Sequence, residues 1–234
     1  LSSLRTVEAG GAKRPAHQVS EIANTLPHAV PGTGYALTES GGVGIGLRGA
    51  HYVNNPAATG RLQGPLLQMR IIDDADKDVS IGEVGELLLK SPSNMRCYLN
   101  KPVETAEALR DGWLYTGDLA REDGDGIITI VDRKKDMIIR GGENISATEV
   151  QVALYRHPSV VEATVFSVPD DRLGEEVAAC VYVKSDTVLT EFELREFLSK
   201  DLAHFKVPKR IWFKNNPLPR VGSEKIDKLI LQKE

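Results

Sequence analysis

The chain's 234 residues are 41% hydrophobic and 26% charged, enough apolar material for one sizeable core or two smaller ones. No apolar run approaches a membrane span, no leader pattern opens the sequence, and a formal net charge of −4 argues against a general nucleic-acid-binding surface. Cys97 and Cys180 offer neither metal-ligand spacing nor a disulfide framework, so a reducing cytoplasm is the expected compartment.

Leu1 to Gly10 reads as a strand already in progress, followed by Gly10-Gly11-Ala12 and a short helix. Pro15 suits that helix's first turn, and Val19, Ile22 and Leu26 share one face. An opening in mid-pattern without Met gives the expectation of a fragment or a processed product. The glycine-rich stretch Gly41–Gly49 is predicted as loop. Strands follow near Leu66–Ile72 and Glu83–Lys90, separated by the acidic turn Asp73–Asp78. Pro102–Arg110 reads as a helix stopped by Asp111-Gly112. The turn Asp123–Gly126 and the strand Ile127–Val131 form a hairpin.

Beyond Asp136 the pattern becomes a compact αβ alternation. A strand, Met137–Arg140, meets Gly141-Gly142. A helix starts at Ser146 with Glu149 three residues on and Ile145 placed to pack on Val150: a capping box with a hydrophobic staple. Strands Val160–Val168 and Val177–Lys184 follow. Thr190 and Glu193 open a second capped helix through Leu202, Ile211–Phe213 is a further strand, and a last helix begins near Ile226. From Ala203 onward there are eight Lys/Arg against three acids, which reads either as a solvated basic face or as a tail approaching a phosphate-bearing ligand. A domain boundary is expected near Lys134–Asp136, giving units 1–134 and 135–234, the second an ordinary domain in size.

Four segments carry chemistry. Gly34-Tyr35-Ala36-Leu37-Thr38-Glu39-Ser40 sets an aromatic for a base, a hydroxyl for a phosphate and a carboxylate for Mg²⁺ within a few residues, though alone it reads equally as a strand end entering a turn. Tyr115-Thr116-Gly117-Asp118 places a carboxylate after a glycine turn, where it can accept from a ribose diol or cap its own backbone. Asp132 to Asn144 puts basic residues at the expected junction and leads into paired glycines; Arg133 can bridge ribose and phosphate oxygens, and the glycines let a thin ligand pass close to backbone. Its alternative is a charged linker with a hairpin turn. Pro217 to Ile226 ends a polar loop on Lys225, a point charge able to reach a phosphate or mere surface decoration.

In this order and at these intervals, the four segments resemble the adenylate-forming superfamily of acyl-CoA synthetases, peptide-synthetase adenylation domains and beetle luciferases. Gly85-Glu86-Leu87, Tyr98-Leu99-Asn100-Lys101-Pro102 and Thr105-Ala106-Glu107 fit the same family. The resemblance implies α/β and α+β architecture: the C-terminal part of a large adenylating domain, with sheets, helices and a small β subdomain, followed by a small αβ lid. It implies an acid–thiol ligase in which a carboxylic acid attacks the α-phosphate of ATP and coenzyme A then displaces AMP. Gly11, Ala12, Gly34 and Tyr35 would line the adenine site. Thr38 would contact the α-phosphate, Glu39 would bind Mg²⁺, Asp118 and Arg133 would hold the ribose, and Lys225 would bridge carboxylate and phosphate. The small domain would swing about Lys135 and present Gly141-Gly142 to the thiol.

Gly141-Gly142-Glu143-Asn144-Ile145 looks more like acyl- or aryl-CoA ligases than peptide-synthetase domains. Loading of a carrier protein is the alternative within the class, and a non-catalytic nucleotide- or partner-binding fragment is the alternative outside it. The chain starts downstream of where the family carries a Ser/Thr/Gly-rich phosphate loop ending in lysine, so by itself it is expected to be inactive in adenylation. Ala36 and Glu224 stand where glycine is usual, and Glu224 puts a carboxylate beside Lys225.

Overall fold

A computed structural model describes residues 1–11, 14, 16–184, 187–222 and 225–232. It divides the chain into two compact units, Leu1–Lys134 and Lys135–Glu234. Both mix helices with sheets, as the α/β and α+β reading requires. Among the described residues no helix is long and apolar enough to cross a membrane.

The first unit opens with β1 (Thr6–Gly10), α1 (Ala16–Thr25) and β2 (Val30–Tyr35). β1 and β2 are parallel, and a parallel pair needs a crossover, which α1 supplies. Val19 seats α1 in a small core with Leu47 and Tyr52. The predicted strand at the start is real only from Thr6, and Pro15 lies outside the described residues. The expected loop Gly41–Gly49 is corrected in its second half: β3 (Ile45–Arg48) pairs antiparallel with β2, and α2 (Gly49–Asn54) follows directly. Two alternating apolar residues, Ile45 and Leu47, are both buried but sit among too many glycines to read as a strand. β4 (Arg61–Leu62) completes this sheet.

The second sheet of the unit contains β5 (Gln68–Ile72), β6 (Gly85–Lys90), β7 (Leu109–Arg110), β8 (Trp113–Glu122) and β9 (Ile128–Arg133) in the order β5-β6-β8-β7, with β9 also on β8. The helix α3 (Pro102–Ala108), with Pro at its first position, ends two residues before the expected stop because Leu109 and Arg110 pair with β8. Ile45 joins Leu67, Ile71, Leu87, Leu89, Ala120 and Ile128 in one core, so the two sheets share their apolar faces. Truncating a fully buried leucine such as Leu87 or Leu89 costs about 2–5 kcal/mol.

The second unit starts with the hairpin β10 (Met137–Arg140) and β11 (Glu143–Ser146), which pair antiparallel with Arg140 opposite Glu143. Gly141 and Gly142 have φ of 58° and 90°, and a two-residue turn with both central φ positive follows the strand twist at little cost only with glycine. β11, to which the sequence pattern assigns no element, fills the stretch between this turn and the helix expected at Ser146. It leads into α4 (Ala147–Tyr155), capped by Ser146 Oγ accepting from Glu149 N–H. The Glu149 carboxylate is held by Lys206 Nζ, 2.8 Å from each oxygen. Ile145 and Val150 are both fully buried in one core, which is the staple.

β12 (Val160–Asp170), β13 (Gly174–Val183), α5 (Glu191–Leu198), β14 (Arg210–Lys214) and α6 (Lys228–Leu231) follow. Thr190 and Glu193 form the full capping box of α5, which ends at Leu198 rather than Leu202. The sheet order is β11-β10-β13-β12, with β14 parallel to β13. Ala163, Val165, Val177, Ala179 and Val181 face the core of α4 and α5. Phe166, Ala178 and Cys180 face the opposite one, with Leu218 and Leu231. Apolar cover on both faces explains why β13 reads as an unbroken apolar run. The last helix starts at Lys228, two residues after the expected Ile226, because Asp227 is its cap.

Candidate functional site

β1 and β2 end together, with Gly10 opposite Gly34 in a parallel register. Gly11, exposed with φ 82°, therefore lies at the same sheet end as Gly34 and Tyr35. The carboxyl ends of parallel strands are where open α/β sheets bind ligands. Ala12 lies outside the described residues.

Tyr35 reaches from this end to the second sheet, where its hydroxyl donates to Asp118 Oδ2 at 2.6 Å. Arg133 Nε donates to Asp118 Oδ1 at 3.1 Å, across the register pair Asp118–Arg133 of β8 and β9. Asp118 is buried, with its side chain 5% exposed, while Arg133 is half exposed. Burial, reinforced by the Asp118 charge and hydrogen bond, drives the Tyr35 phenol far above its usual pKa, so it stays a donor.

The glycine turn expected before Asp118 is instead a bulge inside β8. Glu86 of β6 pairs with Leu119 and Leu88 pairs with Tyr115, so Thr116, Gly117 and Asp118 all oppose Leu87. Gly117 has φ 69°, the left-handed conformation that such bulges assign to glycine. Three bonds hold the bulge: Thr116 Oγ1 to Leu87 O at 2.6 Å, Asp118 N to Thr116 Oγ1 at 3.1 Å, and Gly117 N to Glu86 Oε1 at 3.2 Å. The other oxygen of Glu86 binds Lys134 Nζ at 3.2 Å, and Asp74 binds it at 2.9 Å. Asp74 foremost, then Glu86, raises the Lys134 pKa. The last residue of the first unit is thus fastened, whereas Lys135 beyond it is exposed.

Thr38 and Glu39 sit in a single 3₁₀ turn after β2, Thr38 exposed and Glu39 partly buried. Glu39 Oε1 accepts from the Tyr98 hydroxyl at 2.8 Å, and Glu39 O accepts from Met95 N at 2.7 Å. Burial first, then the Glu39 carboxylate, pushes the Tyr98 phenol up to about 12. The run Tyr98–Pro102 fits the family pattern but carries no sign of a role for Tyr98; nothing in a single sequence signals a contact 59 residues away. Among the described residues there is no group of three or more His, Cys, Asp or Glu able to hold a metal. One carboxylate fits Mg²⁺ only in the manner in which this ion normally serves phosphates, through one or two carboxylates with phosphate oxygens and waters.

In the second unit Gly141 and Gly142 form the exposed tip of the first hairpin, and Gly141 N donates to Leu173 O at 2.9 Å. Lys225 is exposed in the loop closed by the bridge between Arg220 and Ile226, its carbonyl accepting from Val221 N at 2.9 Å. Leu218, Ile226 and Leu231 root that loop and α6 in the core. Glu224 lies outside the described residues.

The structure therefore brings Gly34, Tyr35, Asp118 and Arg133 into one cluster and puts Thr38 and Glu39 in the turn that follows. Gly141, Gly142 and Lys225 belong to the second unit.

A family model described as AMP-binding enzyme matches residues 1–99, and one described as AMP-binding enzyme C-terminal domain matches residues 149–225. Feruloyl-CoA synthase of an Amycolatopsis species is 40% identical over 97% of this chain and 45% of its own length. The solved o-succinylbenzoate CoA synthetase of Bacillus subtilis, in complex with its acyl-adenylate intermediate, has a TM-score of 0.89 at 27% identity, covering 100% of this chain and 46% of that one. Amide bond synthetase from Marinactinospora thermotolerans matches with a TM-score of 0.89 at 31% identity over 99% of this chain and 47% of that one. The chain spans about half the length of the curated relatives it matches.

Proposed function

This chain belongs to the AMP-binding enzyme family, and from that premise we propose that it is part of an ATP-dependent acyl-CoA ligase. The observation that carries the reading is the Tyr35–Asp118–Arg133 cluster at the end of a parallel strand pair. The substrates are a carboxylic acid, ATP and coenzyme A. The carboxylate attacks the α-phosphorus, pyrophosphate leaves, and the thiol of coenzyme A then displaces AMP from the mixed anhydride.

Each residue has a part in this proposal. Gly11, Ala12 and Gly34 line the adenine edge without bulk, and the Tyr35 ring stacks on the base while its hydroxyl stays on Asp118. Asp118 accepts from the ribose and Arg133 steadies it. Thr38 donates to the α-phosphate, and Glu39 holds Mg²⁺, which shields phosphate charge when bound. Lys225 bridges the attacking carboxylate and the α-phosphate. A fixed cation and aligned donors lower such a barrier because charge builds on the phosphoryl oxygens. Lys135 is the hinge on which units 1–134 and 135–234 exchange positions between half-reactions, with Lys134 held by Asp74 and Glu86 as its fixed side. In the thiol step the Gly141-Gly142 tip lines the pantetheine path.

A second reading concerns the acceptor: the likeness to an amide bond synthetase makes an amine or a carrier-protein thiol the alternative to coenzyme A. The compartment proposed is the cytoplasm, to which two cysteines outside any disulfide are suited. The test is carboxylate-dependent ATP–pyrophosphate exchange across an acid panel by the enzyme containing this chain, followed by mass analysis of the product formed with coenzyme A, an amine or a carrier protein. No exchange with any acid sinks the ligase; exchange without thioester assigns the other acceptor.

A further inference from the structure

We propose that Arg140 and Glu176, backed by Lys209, are positioning residues that set the Gly141-Gly142 tip for the thiol step; this rests on the ligase reading above. The hairpin β10–β11 has two ends held by different means. Its inner end is sunk in the core through Ile138 and Ile145, both essentially fully buried. Its outer end meets the rest of the sheet at a single register pair, Arg140 with Gly174. One ladder pair leaves the outer end free to twist, and three further contacts fix it. Gly141 N donates to Leu173 O at 2.9 Å, Ile139 N donates to Glu175 Oε2 at 2.7 Å, and Arg140 Nε donates to Glu176 Oε1 at 2.5 Å.

The last of these differs in kind from the others. Glu176 is 3% exposed and begins the buried middle of β13, where Val, Ala and Cys side chains follow it. A carboxylate there costs desolvation that only a close cation and further donors offset. Arg140 supplies the cation, Val177 N adds a bond to Oε1 at 3.1 Å, and Lys209 Nζ stands 3.8 Å from Oε2. Lys209 also binds Asp170 Oδ2 at 3.1 Å, and Asp170 in turn accepts from the backbone of Arg172 and Leu173. The chain of contacts runs from the tip through Arg140, Glu176, Lys209 and Asp170 and returns through Leu173 to Gly141. A closed circuit of this kind fixes geometry, whereas apolar side chains of similar size would serve stability as well.

The tip is where the proposed function brings the thiol, so its placement governs the second half-reaction and leaves the first alone. A misplacement of about 1 Å can cost a reaction about 100-fold. The experiment measures both half-reactions of the intact enzyme for Glu176→Gln, which keeps the side chain's shape, and for Arg140→Gln and Arg140→Lys. Amide hydrogen exchange is followed in parallel over residues 139–144 and over α4. Expected are acyl-adenylate formation within about twofold of the parent, thioester formation about 10- to 100-fold slower for Glu176→Gln and Arg140→Gln, partial recovery with Arg140→Lys, and faster exchange at 139–144 with α4 unchanged. Equal losses in both half-reactions, or unchanged thioester formation beside faster exchange at the tip, overturn the proposal. If Arg140→Gln fails to fold, Glu176→Gln with its exchange pattern decides. A parent enzyme that forms acyl-adenylate but passes it to no thiol overturns the ligase reading itself, a result separate from a normal parent with unaffected variants.

Discussion

Tyr35 and Asp118 stand 83 residues apart in the chain and share a 2.6 Å hydrogen bond in which the phenol donates. The bond ties the end of a parallel strand pair to a bulge in a different sheet. It joins the aromatic proposed for the base to the carboxylate proposed for the ribose, so neither side chain can turn without the other.

Tyr35→Phe removes the donor from a buried carboxylate, and Asp118→Asn removes the charge that both Tyr35 and Arg133 address. Hydrogen bonds to charged groups are worth about 1.5–3 kcal/mol. Either variant is expected to weaken AMP binding by roughly 10- to 100-fold, read by titration calorimetry. Affinity unchanged in both would remove the cluster from the nucleotide site.

Tyr98 offers a test of the Glu39 contact by titration. With its pKa pushed up to about 12 from the usual 10.0, the phenol contributes stability that is complete below about pH 10 and is lost as pH rises through 12. The absorbance at about 295 nm typical of phenolate, in parent minus Tyr98→Phe, should rise with a midpoint near 12. A midpoint near 10 would mean that neither burial nor the Glu39 carboxylate holds the proton on the hydroxyl in solution.

Lys225 and Lys135 should separate the half-reactions in the intact enzyme. Lys225→Ala is expected to slow acyl-adenylate formation by about 100- to 1,000-fold, by analogy with loss of a single oxyanion donor, with little effect on thioester formation from supplied acyl-adenylate. Lys135→Pro should do the reverse, because proline fixes φ at the proposed pivot. Both variants losing both steps alike would exclude two working positions.

Thr190→Ala opens the capping box of α5 and should cost about 1 kcal/mol in urea denaturation at neutral pH. The Thr190 backbone N–H, then its hydroxyl, holds the Glu193 carboxyl below its usual pKa. That contribution is present above about pH 4.5 and is lost as pH falls through the lowered value. The backbone N–H survives in the variant, so only the hydroxyl's share separates the two proteins: the gap should narrow in acid, and a gap independent of pH would show that the hydroxyl–carboxylate bond takes no part.

The αβ alternation of the second unit was legible because its signals are local: Thr190 and Glu193 are three residues apart, and Ile145 and Val150 mark a helix entry. β3 was not, since Ile45 and Leu47 are two apolar residues among glycines and become a strand only by pairing with β2. β11 was hidden because Glu143-Asn144 is polar and its partner is the preceding strand. At the site, residue types and order were legible, but shape was not: Gly117 promised a turn and makes a bulge, since the two cannot be told apart without the strand opposite. Tyr98 stayed without a role because its partner Glu39 is distant in sequence.

β12 and β13 of the second unit are covered on both faces, whereas the Gly141-Gly142 turn is exposed and so open to evolution and to engineering. Residues 141–142 can be exchanged for those of a relative with a different acceptor while β12 and β13 keep every apolar neighbour. Altered acceptor preference should be reachable by grafting this one short turn, with the scaffold inherited intact.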